Sequence, residues 1–254
     1  IRKIANLEGE RTFAWELVRE SGERAWLRTY DDPMQPFPGE AEMSAAMKRM
    51  TLEVPKIGFV KGYGMRSIHD TKTRGYHFFA YKKDFRQALV NQGFETVEID
   101  LENGIPSDVN IVTIADMREP FTENEEQVLA KYIERGGNLY ILGEPRRRDV
   151  MNPLLNKYFG VELLEGTLVQ YRLEWLQPDI LNCMITPMAR EFSYYFGLAN
   201  GVMLPTTAGL EQVADRGFKV TPVLVSDTLN IQRKENRSYA VWNEMESLDY
   251  VEER

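Results

Sequence analysis

Residues 57–70 read IGFVKGYGMRSIHD: an apolar run, then Gly62 and Gly64 around a tyrosine, then Arg66, Ser67, His69 and Asp70. Glycines placed just after a strand let backbone approach a phosphate closely, while Arg66 and His69 add a cation and a titratable base. Nucleotide binding, acid–base catalysis and recognition of a partner all use these residue types. The nucleotide reading fails on spacing. Ser67 stands where the third glycine of a dinucleotide fingerprint belongs, and residues 69–75 are polar and turn-like where a helix should start. Asp100, which ends the next strand-like run, lies farther on than the roughly 20 residues that separate a ribose-binding acid from the glycines. The pattern GxxxxGK[ST] is absent. For acid–base work, His69 and Asp70 are neighbours on a loop and do not face one another, so they need a group brought in by the fold.

Other reactive groups are few. There is no GxSxG elbow to project a serine. Cys183 is the single cysteine, so no disulfide or thiol pair forms within the chain, and its setting in Leu181-Asn182-Cys183-Met184 suits a buried structural thiol. Two histidines make a His-rich metal site improbable, and no cofactor motif is present. Lys and Arg total 31 against 39 Asp and Glu, a net charge of −8, and the only basic run is Arg146-Arg147-Arg148. That balance argues against a nucleic-acid partner. No stretch approaches the roughly 20 apolar residues of a membrane span. The chain begins at Ile1, as a fragment of a longer protein would.

The elements that must position these residues follow from periodicity. Residues 12–18 and 24–30 read as a hairpin, with Phe13, Trp15 and Leu17 on one face. Residues 31–39 carry three prolines and form a connector. Residues 40–50 read as a helix whose Met43, Met47 and Met50 share a face, expected to be core. From Pro55 the pattern becomes short apolar strands alternating with amphipathic helices, the signature of a mostly parallel sheet. Strands are expected at 56–61, 94–100, 110–115 and 138–142, followed by 161–169, 202–204, 219–225 and 239–242. Helices are expected at 76–91, with Phe78, Phe85 and Leu89 on one face, and after the Thr122–Glu125 capping box, with Val128, Leu129, Tyr132 and Ile133 buried and Gly136 as the stop. A further helix would be capped by Asn152 with Pro153 at its first position and would end at Gly160. Residues 194–201 read as a loop or short helix. The fold class is therefore α/β: a mostly parallel sheet with helices on both faces, plus an N-terminal hairpin and extra C-terminal strands. Residues 1–54 form the extension and 55–254 the main domain.

In such a sheet ligands meet the carboxyl ends of the strands, where strand order reverses. The loops at 62–73, 116–121 and 144–149 bring Gly62, Gly64, Arg66, His69, Asp116, Arg118, Glu119, Glu144 and Arg146 to Arg148 to that end. They form either a solvated rim of mutually neutralising charges or a crevice for a polar ligand or a partner's peptide.

Three stretches resemble one family. KIGFVKGYGMRSI (56–68), FTENEEQVLAKYIERGGNLYILGEP (121–145) and MNPLLNKYFGVELLEGTLVQ (151–170) are similar, in order and spacing, to the auxiliary components of ABC transport systems of the gliding-motility type; residues 205–228 are similar more loosely. The resemblance implies an extracytoplasmic domain with a class I glutamine amidotransferase-like fold, attached through membrane helices to an ABC exporter, with permease or ATPase subunits or another envelope protein as partners and no enzymatic activity. Tyr63 and Met65 replace the histidine and acid of the family's GHGE loop. An amidotransferase also needs a cysteine just after the third strand, where this chain has Ala115-Asp116-Met117. The alternative function is a small-molecule-binding or hydrolytic enzyme using His69, Asp116 and Glu144 in the crevice.

Overall fold

Strands buried on both sides read as unbroken apolar runs, and KIGFV and IVTIA are of that kind. In the computed structural model, which describes residues 14–72, 75–170, 180–192, 201–226 and 231–234, both become central strands. The chain forms two compact units, Ile1–Leu142 and Gly143–Arg254.

The first unit opens with an antiparallel hairpin, β1 (Ala14–Val18) and β2 (Arg24–Arg28), turned at Gly22. Helix α1 (Glu40–Thr51) packs on β2, with Ala46 against Ala25 and Leu27 and with Leu17 and Met50 at the margin. The methionine face is not the buried one: Met43 and Met47 are exposed, while Glu42, Ala45 and Ala46 are covered. Small residues explain this correction. At Gly93 a Cβ would sit 3.3 Å from that of Ala45, so the alanine face lets the helix approach neighbouring backbone closely.

A four-stranded parallel sheet follows: β3 (Lys56–Val60), β4 (Glu95–Ile99), β5 (Ile111–Ala115) and β6 (Asn138–Leu142), in the order β4-β3-β5-β6. Strand order reverses between β3 and β5, which is a topological switch point. Helix α2 is His77–Tyr81 alone; residues 82–93 are successive turns where a longer helix was expected. Side-chain amides displace the helical ladder there: Asn91 Nδ2 donates to the carbonyls of Lys83 (3.0 Å) and Phe85 (2.8 Å), and Gln92 Nε2 to that of Arg86 (2.8 Å). Ile57, Phe59, Ile68, Ala80 and Leu89 make the core on that side of the sheet, joined by Tyr76, Tyr81, Phe94 and Ile111. Helix α3 (Glu123–Glu134) has the expected capping box, Glu125 Oε2 accepting from Thr122 N at 2.8 Å. Leu129 and Tyr132 are buried on its inner face, and Gly136 follows its end with φ +82°.

The second unit starts with a 3-10 turn at Pro145–Arg147 that runs into α4 (Arg148–Phe159). Asn152 is therefore inside the helix and not its cap. Its amide instead clasps the backbone of Leu163, donating to O (3.0 Å) and accepting from N (2.9 Å). Gly160 ends α4 in the left-handed region (φ +67°) as expected, and any side chain there would collide with Ala214 O, 2.1 Å from an added Cβ. The expected strand at 161–169 is broken by Gly166 (φ +78°) into β7 (Val161–Leu163) and β8 (Thr167–Gln170). Then come β9 (Ile180–Ile185), α5 (Pro187–Phe192), β10 (Val202–Pro205), β11 (Leu210–Gln212), β12 (Leu224–Ser226) and β13 (Ile231–Lys234). They pair antiparallel as β10-β9-β12, β11-β7 and β13-β8. The strand expected at 219–225 is confined to β12. Phe13, the segment 194–200 and the strand expected at 239–242 lie outside the described residues.

Candidate functional site at the strand ends

Gly62 to Met65 form a tight turn in which Met65 N donates to Gly62 O at 2.8 Å. The two central residues, Tyr63 (φ +53°) and Gly64 (φ +63°), both have positive φ, the type I′ pattern. Glycine suits that conformation and tyrosine does not, so Tyr63 must be held there. Its carbonyl accepts from Arg118 N at 2.8 Å, its ring meets Phe121 edge-on at 4.8 Å, and its hydroxyl donates to Glu125, the capping carboxylate of α3. The glycine motif thus ties the end of β3 to the start of α3. Arg118 is exposed and lies over the turn, 2.8 Å (Cδ) from a Cβ built on Gly64.

On the other side of the switch point, Asp116 leaves β5 with φ +54° and is 2% exposed. Its amide donates to Leu142 O at 2.8 Å, and its Oδ2 lies 3.6 Å from Arg66 Nε. The guanidinium of Arg66 stands over the Tyr76 ring at 5.8 Å. Burial pushes the Tyr76 hydroxyl up from its ordinary pKa; Arg66 opposes the shift, and Asp116 and Tyr140 add to it. These four residues therefore share one electrostatic environment. Beside them Thr113, 1% exposed, has a hydroxyl with no hydrogen-bond partner.

The remaining sequence candidates lie elsewhere. His69 is turned to a different group: its ring stacks on Tyr81 at 5.6 Å and its Nε2 is 3.8 Å from Glu98 Oε2. Ser67 Oγ donates to Glu98 Oε1 at 2.9 Å and accepts from His69 N at 3.0 Å. The carboxylate stands between serine and imidazole, so it cannot orient the imidazole toward the hydroxyl as a triad requires. Asp100 caps a 3-10 turn and pairs with Lys61 at 3.1 Å. Glu144, half-buried, and Arg146, exposed, belong to the second unit, flanking and within its first 3-10 turn. Cys183 lies on the inner face of β9, and burial raises its thiol pKa. Among the described residues no group of His, Cys, Asp and Glu could hold a metal ion, and no helix is long and apolar enough to cross a membrane.

Sequence reasoning missed Tyr63, Tyr76, Tyr140 and Glu98. Glu98 could have been found from the outward-facing positions of β4; a positive φ at Tyr63 or Asp116 has no sequence signal in a non-glycine residue.

The strand order, with the ends of β3 and β5 adjacent at the reversal, defines an open α/β sheet. Among solved structures the chain is similar to the mmIFT52 N-terminal domain, with a TM-score of 0.50 and 20% identity over 69% of this chain and 76% of that one. At that identity the likeness is one of fold. Residues 54–172, which include every strand of the parallel sheet and both strand-end loops, match the model of a family described as ABC-type uncharacterized transport system. The match is a similarity over less than half of the chain. No curated protein matches the chain.

Proposed function

We propose that this chain is the extracytoplasmic part of a membrane-anchored auxiliary component of an ABC transport system. In this reading it does not catalyse; it meets the permease, the ATPase or another envelope protein through the strand-end surface around Arg66 and Asp116. The observation that carries the reading is the family match over residues 54–172, because it spans the Gly62–Met65 turn, Arg66 and Asp116 together. His69 engages Tyr81 and Glu98 while Asp116 engages Arg66, which supports recognition over acid–base chemistry, whose groups must converge on one reacting atom. Recognition suits an arginine one-fifth exposed and held over an aromatic ring, a residue type enriched where protein surfaces meet. ATP would be hydrolysed by a different chain.

The test is affinity capture of the full-length parent from detergent-solubilised membranes, comparing wild type with Arg66→Glu and Asp116→Asn. ABC permease or ATPase subunits are expected with the wild type and at least tenfold less with Arg66→Glu. Recovery of no ABC subunit by a well-folded wild type would overturn the reading. Labelling of a cysteine placed at exposed Arg118 by a membrane-impermeant thiol reagent on intact cells tests the extracytoplasmic assignment.

A further inference from the structure

A second feature, wholly within the second unit, is a groove of about 620 Å³ along α4, whose lining includes Arg148, Asn152, Asn156, Lys157, Glu162 and Arg216. Its wall is polar and carries three cations against the acids Asp149 and Glu162, with Arg148 already paired to Glu165 at 3.2 Å. Arg216 is the informative member. Its Nε donates to Asn156 O (3.0 Å) and one terminal nitrogen to Asn156 Oδ1 (3.3 Å), so the guanidinium plane is fixed against the last turn of α4. The loop that carries it is fixed as well. Val213 N and Ala214 N both donate to Gly160 O, and Gly160 has no room for a side chain against Ala214. Yet among the described residues no carboxylate pairs with Arg216, which is exposed. Glu162, an acid of the same lining, is engaged by Asn156 Nδ2 at 2.6 Å.

We propose that this groove binds a small oxyanion, a phosphate or a carboxylate carried by a solute, with Arg216 as the anchoring cation and Lys157 and Arg148 at its margin. A guanidinium already locked by backbone and amide partners loses little further freedom on meeting an anion, and its planar fork matches two oxygens. A lining this polar suits a hydrated, charged ligand better than an apolar one. Glu162 opposes the anion and sets the affinity low.

The test titrates the whole 254-residue chain with inorganic phosphate and, separately, with succinate. Ionic strength is held constant with chloride, and the readout is the Nε–H resonance of Arg216 and the amides of α4. A saturable shift in the millimolar range is expected, and the stronger of the two titrants identifies the source of the oxyanion. Arg216→Gln should weaken binding at least tenfold with the amide spectrum otherwise retained. Glu162→Gln, which keeps an acceptor for Asn156 Nδ2, should tighten it threefold to tenfold, and it decides the matter even where Arg216→Gln does not fold. No saturable shift with either anion, an unchanged response in a folded Arg216→Gln, or unchanged or weaker binding in Glu162→Gln would overturn the proposal.

Discussion

The first unit contains two arginine–carboxylate pairs set over tyrosine rings, and they are built differently. Arg86 and Glu42 are almost wholly buried and 2.5 Å apart. Glu42 also accepts from Gly39 N at 2.7 Å, Arg86 also donates to the carbonyls of Gln35 and Phe37, and the Tyr30 ring lies 4.5 Å below the guanidinium. This closed network fastens the proline-rich connector to α1 and to the turns after α2. Arg66 and Asp116 are 3.6 Å apart, the arginine is one-fifth exposed, and the flanking backbone holds Tyr63 and Asp116 at positive φ. A buried ion pair contributes only when its geometry is tight and its other polar atoms are satisfied. The first pair meets the geometric half of that condition, with every polar atom but Arg86 Nε bonded. The second tolerates looser geometry and local strain, which is the pattern expected where a surface is kept ready for a ligand or partner.

The contrast is open to measurement. Arg86→Ala strands the Glu42 carboxylate in the interior and is expected to lower unfolding free energy by about 3–5 kcal/mol, read from the urea midpoint; Arg66→Ala should cost about half of that. Equal losses would erase the distinction between the two pairs. Next in size is an alkaline effect. Burial, with the Glu42 charge adding, pushes Tyr30 up to about 12. The folded chain thus keeps that proton to higher pH than the unfolded chain, in which tyrosine ionises near 10. The associated stability is complete below about pH 10 and is lost as pH rises toward 12, a decline of about 2–3 kcal/mol that Tyr30→Phe should largely remove. Denaturation midpoints that fall equally in both proteins between those pH values would contradict it.

Smaller effects sharpen the strand-end side. Gly64→Ala must hold φ +63° and displace the Arg118 side chain, so a loss of about 1–2 kcal/mol is expected. At Gly62 (φ +92°) a Cβ meets nothing within 4 Å, and Gly62→Ala should cost less. A reversed order would mean that the turn is not clamped against Arg118. Smallest is Glu98→Gln. Its contact with His69 is exposed to solvent and screened, so thermal denaturation at neutral pH should shift by less than the equivalent of about 0.5 kcal/mol.

How far the sequence could be read depended on how local the signals were. The hairpin, β6 and the Thr122–Glu125 capping box depend on residues a few positions apart, and each formed where it was expected. Helix α2 stops at Tyr81 because Asn91 and Gln92 bond to carbonyls six to eight residues back, a competition that periodicity does not register. The helical period of Met43, Met47 and Met50 was real, but its buried side was decided by distant partners: Arg86 makes room for a charged Glu42 inside, and Gly93 admits Ala45. Arg66 and Asp116 were legible as strand-end residues because the βα rhythm marks strand ends. That they would meet each other while His69 turned to Glu98 followed from the strand order, which no short motif encodes.

Sheet order also bears on how the molecule is made. Arg66 follows β3, but its partner Asp116 arrives only after β4 has been laid on the far side of β3 and β5 has docked between β3 and the place of β6. Parallel pairings of this kind close long loops and form slowly. A chain emerging during synthesis would carry the Gly62–Met65 turn before either Glu125 or Asp116 existed to hold it. The strand-end surface is therefore complete only once β5 and α3 have joined the sheet.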